Sequence, residues 1–523
     1  MADLLSIGLS GLSASKTQLS ITGHNITNVN TPGYSRQDAS QATRSPQFSG
    51  AGYIGSGTSL VDVRRSYSEF LTSQLRSSTS LNSDVKAYKS QIDQLDSLLA
   101  GTTTGITPSL QKFFSALQTA AEDPANIPAR QLVLAEAEGL ARRFNTVYDR
   151  LSEQNSFTNK QMSAVTDQVN RLAGSIGSLN EAIAIAAANG KQPNDLLDAR
   201  DEAVRQLSGY IGVTVVPQDD SSFNVFIGSG QPLVVGSTVA KLEVVPGQGD
   251  PNRHEVQFIS GGSRQGITSQ ITGGELGGLI RYREEVLDST MNSLGRLSLA
   301  VSDQVNTQLG QGLDLKGNVG VDLFKDINSA DLVDKRSFPT GIDVSITDAS
   351  KLTASDYQVE FVSAGTFRIR PSGGAWLAGT HPVDSPIAEL GFSISVPADP
   401  SVTSYTVMPT RRAASGIAID LDQADQLAFA APMRAESELQ NGGTGVIGQP
   451  DLIAGPSPID KTVLGAANLS FDVTLSPDGK SYSLSDPLPA NWSYVDAAGN
   501  AVTPAPSFVS GGTNAVNLAY TSG

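Results

Sequence analysis

Residues 4–37, LLSIGLSGLSASKTQLSITGHNITNVNTPGYSRQ, hold the pattern from which the rest of the chain is read. Leu5, Leu12, Leu19 and Ile26 recur every seven residues, with Leu9 between the first two, and the spacing predicts a helix carrying a coiled-coil seam. Serine, threonine and glutamine fill most of the remaining positions. A helix of about 25 residues with so narrow an apolar stripe barely repays nucleation, so it needs a partner. No second helix follows closely enough to fold back on the seam. Burying the four heptad residues stabilises by on the order of 6–12 kcal/mol, at roughly 1.5–3 each, which is enough to drive ordering on assembly. Pro32 turns Thr31 away from helix and Gly33 supplies a turn, so the helix stops in Asn28-Val-Asn-Thr-Pro-Gly-Tyr34.

Working outward, residues 44–66 read as irregular and glycine-rich, with a short strand at Ser59–Val63. A long helix then carries Leu71, Leu75, Val85, Tyr88, Ile92, Leu95 and Leu99 on one side, a stripe expected to lie in the chain's own core. Glycines at 101 and 105 break it, and Pro108–Ala121 forms a shorter helix. From about Ala129 the apolar spacing alternates threes and fours through Leu140, Phe144, Val147 and Leu151, then Met162, Val165, Val169, Leu172, Ile176, Leu179 and Ile183. That argues for a coiled-coil-like rod, capped at Asn189-Gly190 and followed by a helix over Asp195–Leu207. Short β runs fill 212–270, and helix returns at Glu275–Leu309.

Beyond residue 330 the helical period is lost. Residues 331–523 contain 16 of the 26 prolines and 20 acidic against 10 basic side chains, with alternating runs such as YQVEFV and TFRIR that predict antiparallel β domains. The expected fold is therefore multidomain α + β: a long, discontinuous coiled-coil-like helical domain with a β insert, then β-rich outer domains. The boundaries fall at 1–40 for the N-terminal helix and turn, 41–330 for the helical rod with its insert at about 212–270, 331–440 for one β-rich domain and 441–523 for a second. The soft edge between the last two lies in NGGTGVIGQP at 441–450.

Composition removes several function classes. With 36 basic and 52 acidic residues the net charge is −16, and no basic stripe offsets it, which disfavours nucleic acid. The absence of cysteine excludes disulfides, thiolate nucleophiles and cysteine-bound metals. The three histidines, His24, His254 and His381, lie far apart in sequence. No Sec-type signal or membrane-length apolar run is present. Phosphate-loop, G-x-S-x-G and H-E-x-x-H motifs are also missing, so the expectation is no enzyme, no cofactor and no metal. The glycine-rich stretch Gly50–Gly57 lies outside any strand–helix unit and reads as turns.

Asp195, Asp198 and Asp201 sit three apart, a spacing that can place acids on one helical face for a hard cation. The commoner role is N-terminal capping by Asn194 or Asp195, with Arg200 and Arg205 pairing locally. His24 reads as a partly exposed polar residue, since neither nucleophile nor orienting acid is near it in sequence.

Taken as one string, Leu9–Ala14, Leu19 and Gly23–Gln37 resemble the N-terminal signature of the bacterial flagellar axial proteins, the rod, hook and hook-associated proteins; N-x-N-T-P-G-Y is its specific core. Hook and rod members pass quickly into β structure, whereas this chain enters long helices. YIGSGTSLVDVRRSYSEFLTSQLR at 53–76, PNDLLDARDEAVRQLS at 193–208, GELGGLIRYREEVLDSTMNSLGRL at 274–297 and VNTQLGQGLDLKGNVG at 305–320 are similar to the hook-associated protein 1 branch. With TDASKLTASDYQVEF at 347–361, the resemblance spans roughly residues 1–360.

The resemblance implies a non-catalytic building block at the hook–filament junction of the extracellular flagellum, leaving the cell through the flagellar type III channel. Its implied partners are the hook protein, the next hook-associated protein, copies of itself in a ring, and a flagellar export chaperone. Terminal helices would lie inside and β domains outside. By position, Leu5, Leu9, Leu12, Leu19 and Ile26 would line axial packing, and Asn25, Asn28, Asn30, Thr31, Pro32, Gly33, Tyr34, Arg36 and Gln37 would set the turn between inner and outer tubes.

Thr27 and Gln308 depart from the family's usual alanine and histidine. The family also ends in returning helices that pair with the N-terminal helix and are the expected chaperone site, whereas this sequence ends in β-like Asn517–Gly523. The expectation is a fragment with a flexible N-terminal helix and poor self-assembly. Alternatives are another axial protein, or an adhesin or ligand-binding module using the outer β domains, for which Trp376 and Trp492 are the only tryptophans.

Overall fold

The structure, a computed structural model, describes residues 4–440 except 49, 51, 100–104, 189–191, 364, 397–402, 432–433 and 438; beyond 440 it describes residue 448 and four short strands. The glycine break at 101–104, the Asn189-Gly190 cap, the 441–450 boundary and most of the second β-rich domain lie outside the described residues.

The N-terminal segment forms an arm. Helix α1 (Leu4–Thr27) is followed by β1 (Gln37–Thr43), β2 (Gln47–Phe48), β3 (Tyr53–Ile54) and β4 (Thr58–Arg65). β1 and β4 pair antiparallel from Gln37↔Arg65 to Thr43↔Thr58, with a bulge after Ser40. The short strand expected at Ser59–Val63 is thus the core of β4, longer than expected and one half of a hairpin. α1 lies against it through buried Ser10 and Ala14 and half-buried Ile7, Gly11, Thr17, Ile21, Asn25 and Asn28. Ser10 Oγ accepts the Thr58 N–H at 3.2 Å, so small side chains bring helix and hairpin together. Ile7, Ala14, Ile21 and Asn28 also recur every seven residues, a second heptad roughly opposite the leucine seam.

The body begins with α2 (Glu69–Leu99), α3 (Thr107–Glu122), the unbroken 61-residue α4 (Ile127–Ala187) and α5 (Asn194–Tyr210). Strands β5 (Val213–Pro217), β6 (Phe223–Ile227), β7 (Gln231–Val235) and β8 (Thr238–Val239) make one antiparallel sheet. β9 (Lys241–Val245), β10 (Glu255–Ser260) and β11 (Ser263–Gly266) make a second. Met162, Val165, Val169 and Ile176 of α4 enter one core with Val204 and Leu207 of α5 and with Val225, Leu233 and Val256 of the insert. The apolar stripe of the long helix is therefore consumed inside the chain, as its spacing implies.

α6 (Gly274–Tyr282) is separated from α7 (Asp288–Leu309) by a π turn over Arg283–Leu287, so the helix expected at 275–309 is interrupted. A π turn holds an extra residue, and here it places Arg283 fully buried, donating to the His254 carbonyl. α6 packs tightly on α2: a Cβ at Gly278 would stand 2.3 Å from the Asp84 carbonyl.

Over its first half, α2 does not turn the expected stripe inward. Its buried positions are Arg76, Ser80, Gln91 and Leu95, while Leu71, Leu75 and Val85 are exposed together with Phe70 and Leu81. Tyr88, Ile92 and Leu99 are half-buried. The stripe fails as an intramolecular core over its first half because small and polar residues make the close contact with α5 and α6.

β12 (Ser337–Phe338), β13 (Asp343–Ile346), β14 (Tyr357–Ser363), β15 (Thr366–Pro371), β16 (His381–Pro382), β17 (Pro386–Ile387), β18 (Phe392–Ser395) and β19 (Ser404–Val407) complete the outer region. They form a five-stranded sheet in the order β12-β19-β14-β15-β16 and a three-stranded sheet in the order β13-β18-β17. Val359, Ile369 and Val407 of the first share a core with Val344, Phe392 and Ile394 of the second. The described residues of 1–110, 140–300 and 327–417 form one compact unit. Those of 111–139, 301–326 and 418 onward form another, where Phe113 meets Phe324 edge-on and buried Arg130 donates to the Leu427 carbonyl.

Candidate functional site at the N-terminal joint

Two features of the arm draw functional interest: the seam of α1 and the turn that joins the arm to α5. On α1, threonine and serine hydroxyls fold back on the carbonyls four residues earlier, as at Thr17–Ser13 and Ser20–Lys16, leaving the polar face self-satisfied. The leucine face is turned away from the hairpin. Leu5 is 78% exposed, Leu9 65%, Leu12 68%, Leu19 73% and Ile26 69%.

The turn is built around Asn25. Its Oδ1 accepts from the Tyr34 hydroxyl at 2.7 Å and from the Gln37 N–H at 2.9 Å, and its Nδ2 donates to the Gln37 carbonyl at 2.9 Å. Asn28 closes the helix end by donating to the His24 carbonyl and accepting from the Thr31 hydroxyl. Gly33 has φ +80°, and a Cβ there would fall 2.5 Å from that of Glu202. Of the turn residues expected to act together, Asn25, Tyr34 and Gln37 converge, Asn28 and Thr31 form a local pair, and Asn30, Pro32 and Arg36 are exposed.

The acids of α5 do not behave as capping residues. The helix starts after Pro193 with no side-chain cap bond. Asn194 Nδ2 instead donates to the Val63 carbonyl at 2.8 Å, and Asp195 accepts from Gln37 Nε2 at 2.7 Å. Asp198 takes the Ser35 N–H on one oxygen and Arg65 Nη1 on the other, both at 2.8 Å, while Asp201 takes the same Arg65 nitrogen at 2.8 Å. Arg205 pairs with Glu202, but Arg200 turns inward, over the Phe223 ring at 3.4 Å. These acids meet the Arg65 guanidinium, the Ser35 N–H and the Gln37 side-chain amide. Among the described residues, no group of three or more His, Asp or Glu side chains is placed to hold a metal ion.

Electrostatics follow the geometry. Burial pulls the Arg65 guanidinium down, yet its bonds to Asp198 and Asp201 outweigh this and hold it above its ordinary value. Burial, helped by Asp195 and Asp198, raises the Tyr34 phenol. Arg200 is pushed down to about 10 by desolvation. Glu202 is held low by the hydrogen bond from Arg205. The fold also supplies His24 with an acid that is distant in sequence: its Nε2 lies 3.5 Å from Asp195 Oδ1, on a surface shared with the Tyr34 ring.

Sequence reasoning singled out Asp198 and Asp201 but not their role, and it missed their partner Arg65. Their signal is present as three aspartates at threefold spacing and an arginine closing a strand, but nothing local says that they meet across more than 130 residues.

Comparison with known proteins adds an independent line. Residues 92–324 match the family model described as the flagellar hook-associated protein FlgK helical domain, and residues 5–34 match that of the flagella basal body rod proteins. Flagellar hook-associated protein 1 of Escherichia coli K12 is 32% identical over 452 residues, covering 84% of this chain and 82% of that protein. Its Salmonella typhimurium counterpart is 31% identical with 84% and 81% covered, and that of Bacillus subtilis is 28% identical with 49% and 50% covered. Among solved structures, the flagellar hook junction protein FlgK from Burkholderia pseudomallei is similar with a TM-score of 0.63 and 31% identity, over 72% of this chain and 69% of that one. The likeness to the E. coli protein covers more of the chain than residues 1–360, where the motifs concentrate.

Proposed function

This chain belongs to the flagellar hook-associated protein 1 family, and from that membership we propose that it is a structural part of the bacterial flagellum that joins hook to filament by packing of helices and domains. The observation that carries the reading is the seam of α1, where Leu5, Leu9, Leu12, Leu19 and Ile26 are exposed while the opposite face is engaged with the hairpin. Such a helix presents a packing surface, and its end is tied to the base of the hairpin through Asn25, Gln37 and Tyr34.

In this reading the protein works without catalysis, outside the cell, after passage through the flagellar type III channel. Its neighbours are the hook protein, the next hook-associated protein and copies of itself in a ring, and an export chaperone escorts it beforehand. Asn25, Asn28, Asn30, Thr31, Pro32, Gly33, Tyr34, Arg36 and Gln37 set the turn between the inner helix and the outer domains. Support comes from the match of residues 5–34 to the rod protein model, which covers α1 and most of the turn.

The test is to shear flagella from cells that make this protein, purify filaments with attached hooks, and locate the chain with antibody to residues 331–417. Labelling confined to the hook–filament boundary is expected. Labelling elsewhere on the cell with bare junctions would overturn the proposal.

A further inference from the structure

The outer β region meets the helical body at a largely buried cluster of charges. Two arginines just after β19, Arg411 and Arg412, reach acids of the body. Arg411 Nη1 lies 3.0 Å from Asp288 Oδ1, at the first residue of α7, and 3.9 Å from Asp250 Oδ2, in the loop between β9 and β10. Arg412 Nη2 lies 2.7 Å from Asp250 Oδ1. The other terminal nitrogen of Arg411 donates to Asp356, which precedes β14 of the outer sheet. One guanidinium is thus forked between an acid of the body and an acid of the outer region, and the side chains of Arg411, Asp288 and Asp356 are only 5%, 13% and 13% exposed.

The surroundings leave this fork little room. A Cβ at Gly295 of α7 would fall 1.7 Å from the Thr410 carbonyl oxygen, so the turn that carries the arginines rests directly on the helix. A Cβ at Gly249 would fall 2.5 Å from Thr406 Oγ1 of β19, which brings the insert loop against the same strand. That loop is itself tied to α4, because the Asn252 carbonyl accepts from Asn155 and Asn159. At the margin, Arg253 holds the second oxygen of Asp288, and Asn292 donates to the second oxygen of Asp356. Leu299 of α7 adds an apolar contact with the core of the two outer sheets.

Without Arg411, Asp288 and Asp356 would face one another as like charges across the boundary. A buried charge that loses its partner is far costlier than an opened surface pair. Burial raises the Asp356 carboxyl, Arg411 works against that, and the Asp288 charge adds to it. The two acids are compatible only through the arginine between them.

We propose that Arg411, supported by Arg412, is the bridge that holds the outer β region at one angle on the helical body, so that copies of this chain packed in a ring present their outer regions alike. This rests on the reading of the chain as a ring-forming junction protein and extends it to what sets the outer surface. Arg411 is a positioning residue, acting through Asp288 and Asp356.

The chain has no cysteine, so Ser163→Cys on α4 and Ser363→Cys at the end of β14 provide two unique spin-label sites, both exposed. The labelled full chain is expected to give one narrow distance distribution. Arg411→Met, similar in length and uncharged, is expected to abolish that single narrow peak. Adding Asp356→Asn to this variant removes the unpaired charge while keeping the shape, and is expected to bring the narrow peak back. A side chain that merely filled space would not be rescued in this way. Should Arg411→Met fail to fold, Arg412→Gln, at a side chain 20% exposed, releases the second tie and is expected to broaden the peak with helical content intact.

A broad distribution in the labelled chain with both arginines overturns the proposal. So does an unchanged narrow peak in Arg411→Met or, where that variant does not fold, in Arg412→Gln. An Arg411→Met distribution that Asp356→Asn leaves broad overturns it as well, since packing and not charge would then set the angle. Absence of the chain from the hook–filament boundary tells against the junction reading, whereas the distances in the free chain decide the bridge by themselves.

Discussion

Asn25 and Gln37 face one another across the turn like partners in a β-ladder: the Asn25 side-chain amide both accepts from the Gln37 N–H and donates to its carbonyl. The side chain of a helical residue thus substitutes for a strand at the first rung of the hairpin, where Gln37 pairs with Arg65 on its other side. The helix end, the hairpin base and α5 are fastened at one place, since Gln37 Nε2 continues to Asp195.

Replacement Asn25→Ala removes the acceptor shared by Tyr34 and Gln37 and the donor to the Gln37 carbonyl. Partly buried groups left without partners cost about 1–3 kcal/mol. The Gln37 amide is expected to exchange about ten- to a hundredfold faster, with thermal unfolding of the body little changed. Unaltered exchange at Gln37 would show that the turn does not depend on this clamp.

At Gly33 the constraint is backbone conformation and proximity together. With φ +80° and only 2.5 Å between the place a Cβ would take and the Cβ of Glu202, alanine must either distort the turn or lift it from α5. Gly33→Ala is expected to cost about 1–3 kcal/mol, read as lost protection of the Ser35 amide that donates to Asp198. Protection equal to wild type would remove Gly33 from the joint.

The period of the sequence is a sound guide where one face dominates and an incomplete one where two compete. Met162, Val165, Val169 and Ile176 repeat on one face of α4 and are buried, because the insert and α5 cover that face over this stretch. In α1 the leucine heptad is conspicuous, yet the face that packs inside the chain is Ile7, Ser10, Ala14 and Ile21, whose small and polar members carry little hydropathy signal. α2 repeats the lesson, with Arg76, Ser80 and Gln91 inward and Leu71 and Leu75 outward. The turn is legible as a motif through Asn28–Tyr34, since proline and glycine act locally. Its attachment to Asp198 is not, because long-range hydrogen bonds leave no periodic trace.

The two faces of α1 give opposite mutational signatures. Leu12→Asp and Leu19→Asp replace side chains that are 68% and 73% exposed, so the monomer's stability is expected to change by no more than about 0.5 kcal/mol. Junction assembly and motility are expected to fail, because a carboxylate on the seam must be desolvated for the helix to pack. Ala14→Leu does the reverse: Ala14 is 6% exposed against the hairpin, and overpacking there costs about 1–3 kcal/mol before any partner is met. Urea unfolding and a swimming assay on the same three variants check the pattern. Normal swimming with both aspartates in place would remove the seam from assembly.

The pH response of the joint follows from Glu202, whose carboxyl is held below its ordinary 4.5 chiefly by the hydrogen bond from Arg205, against a smaller opposing effect of burial. A group with a lowered folded-state value contributes stability that is fully present above the unfolded value and is lost as pH falls through the folded one. For a helical pair of this kind the contribution is about 0.5 kcal/mol, since Arg205 is 36% exposed and partly screened. The Tm difference between wild type and Glu202→Gln is therefore expected to be constant from neutral pH down to about 4.5, and to shrink below it. Because the carboxylate also lies beneath Gly33, protection of the Ser35 amide is expected to decline over the same acid range in the wild type. High salt at neutral pH should reduce the Tm difference in the same direction. A difference that survives undiminished at about pH 3 and in high salt would mean that Glu202 steadies the turn by its shape and not by its charge.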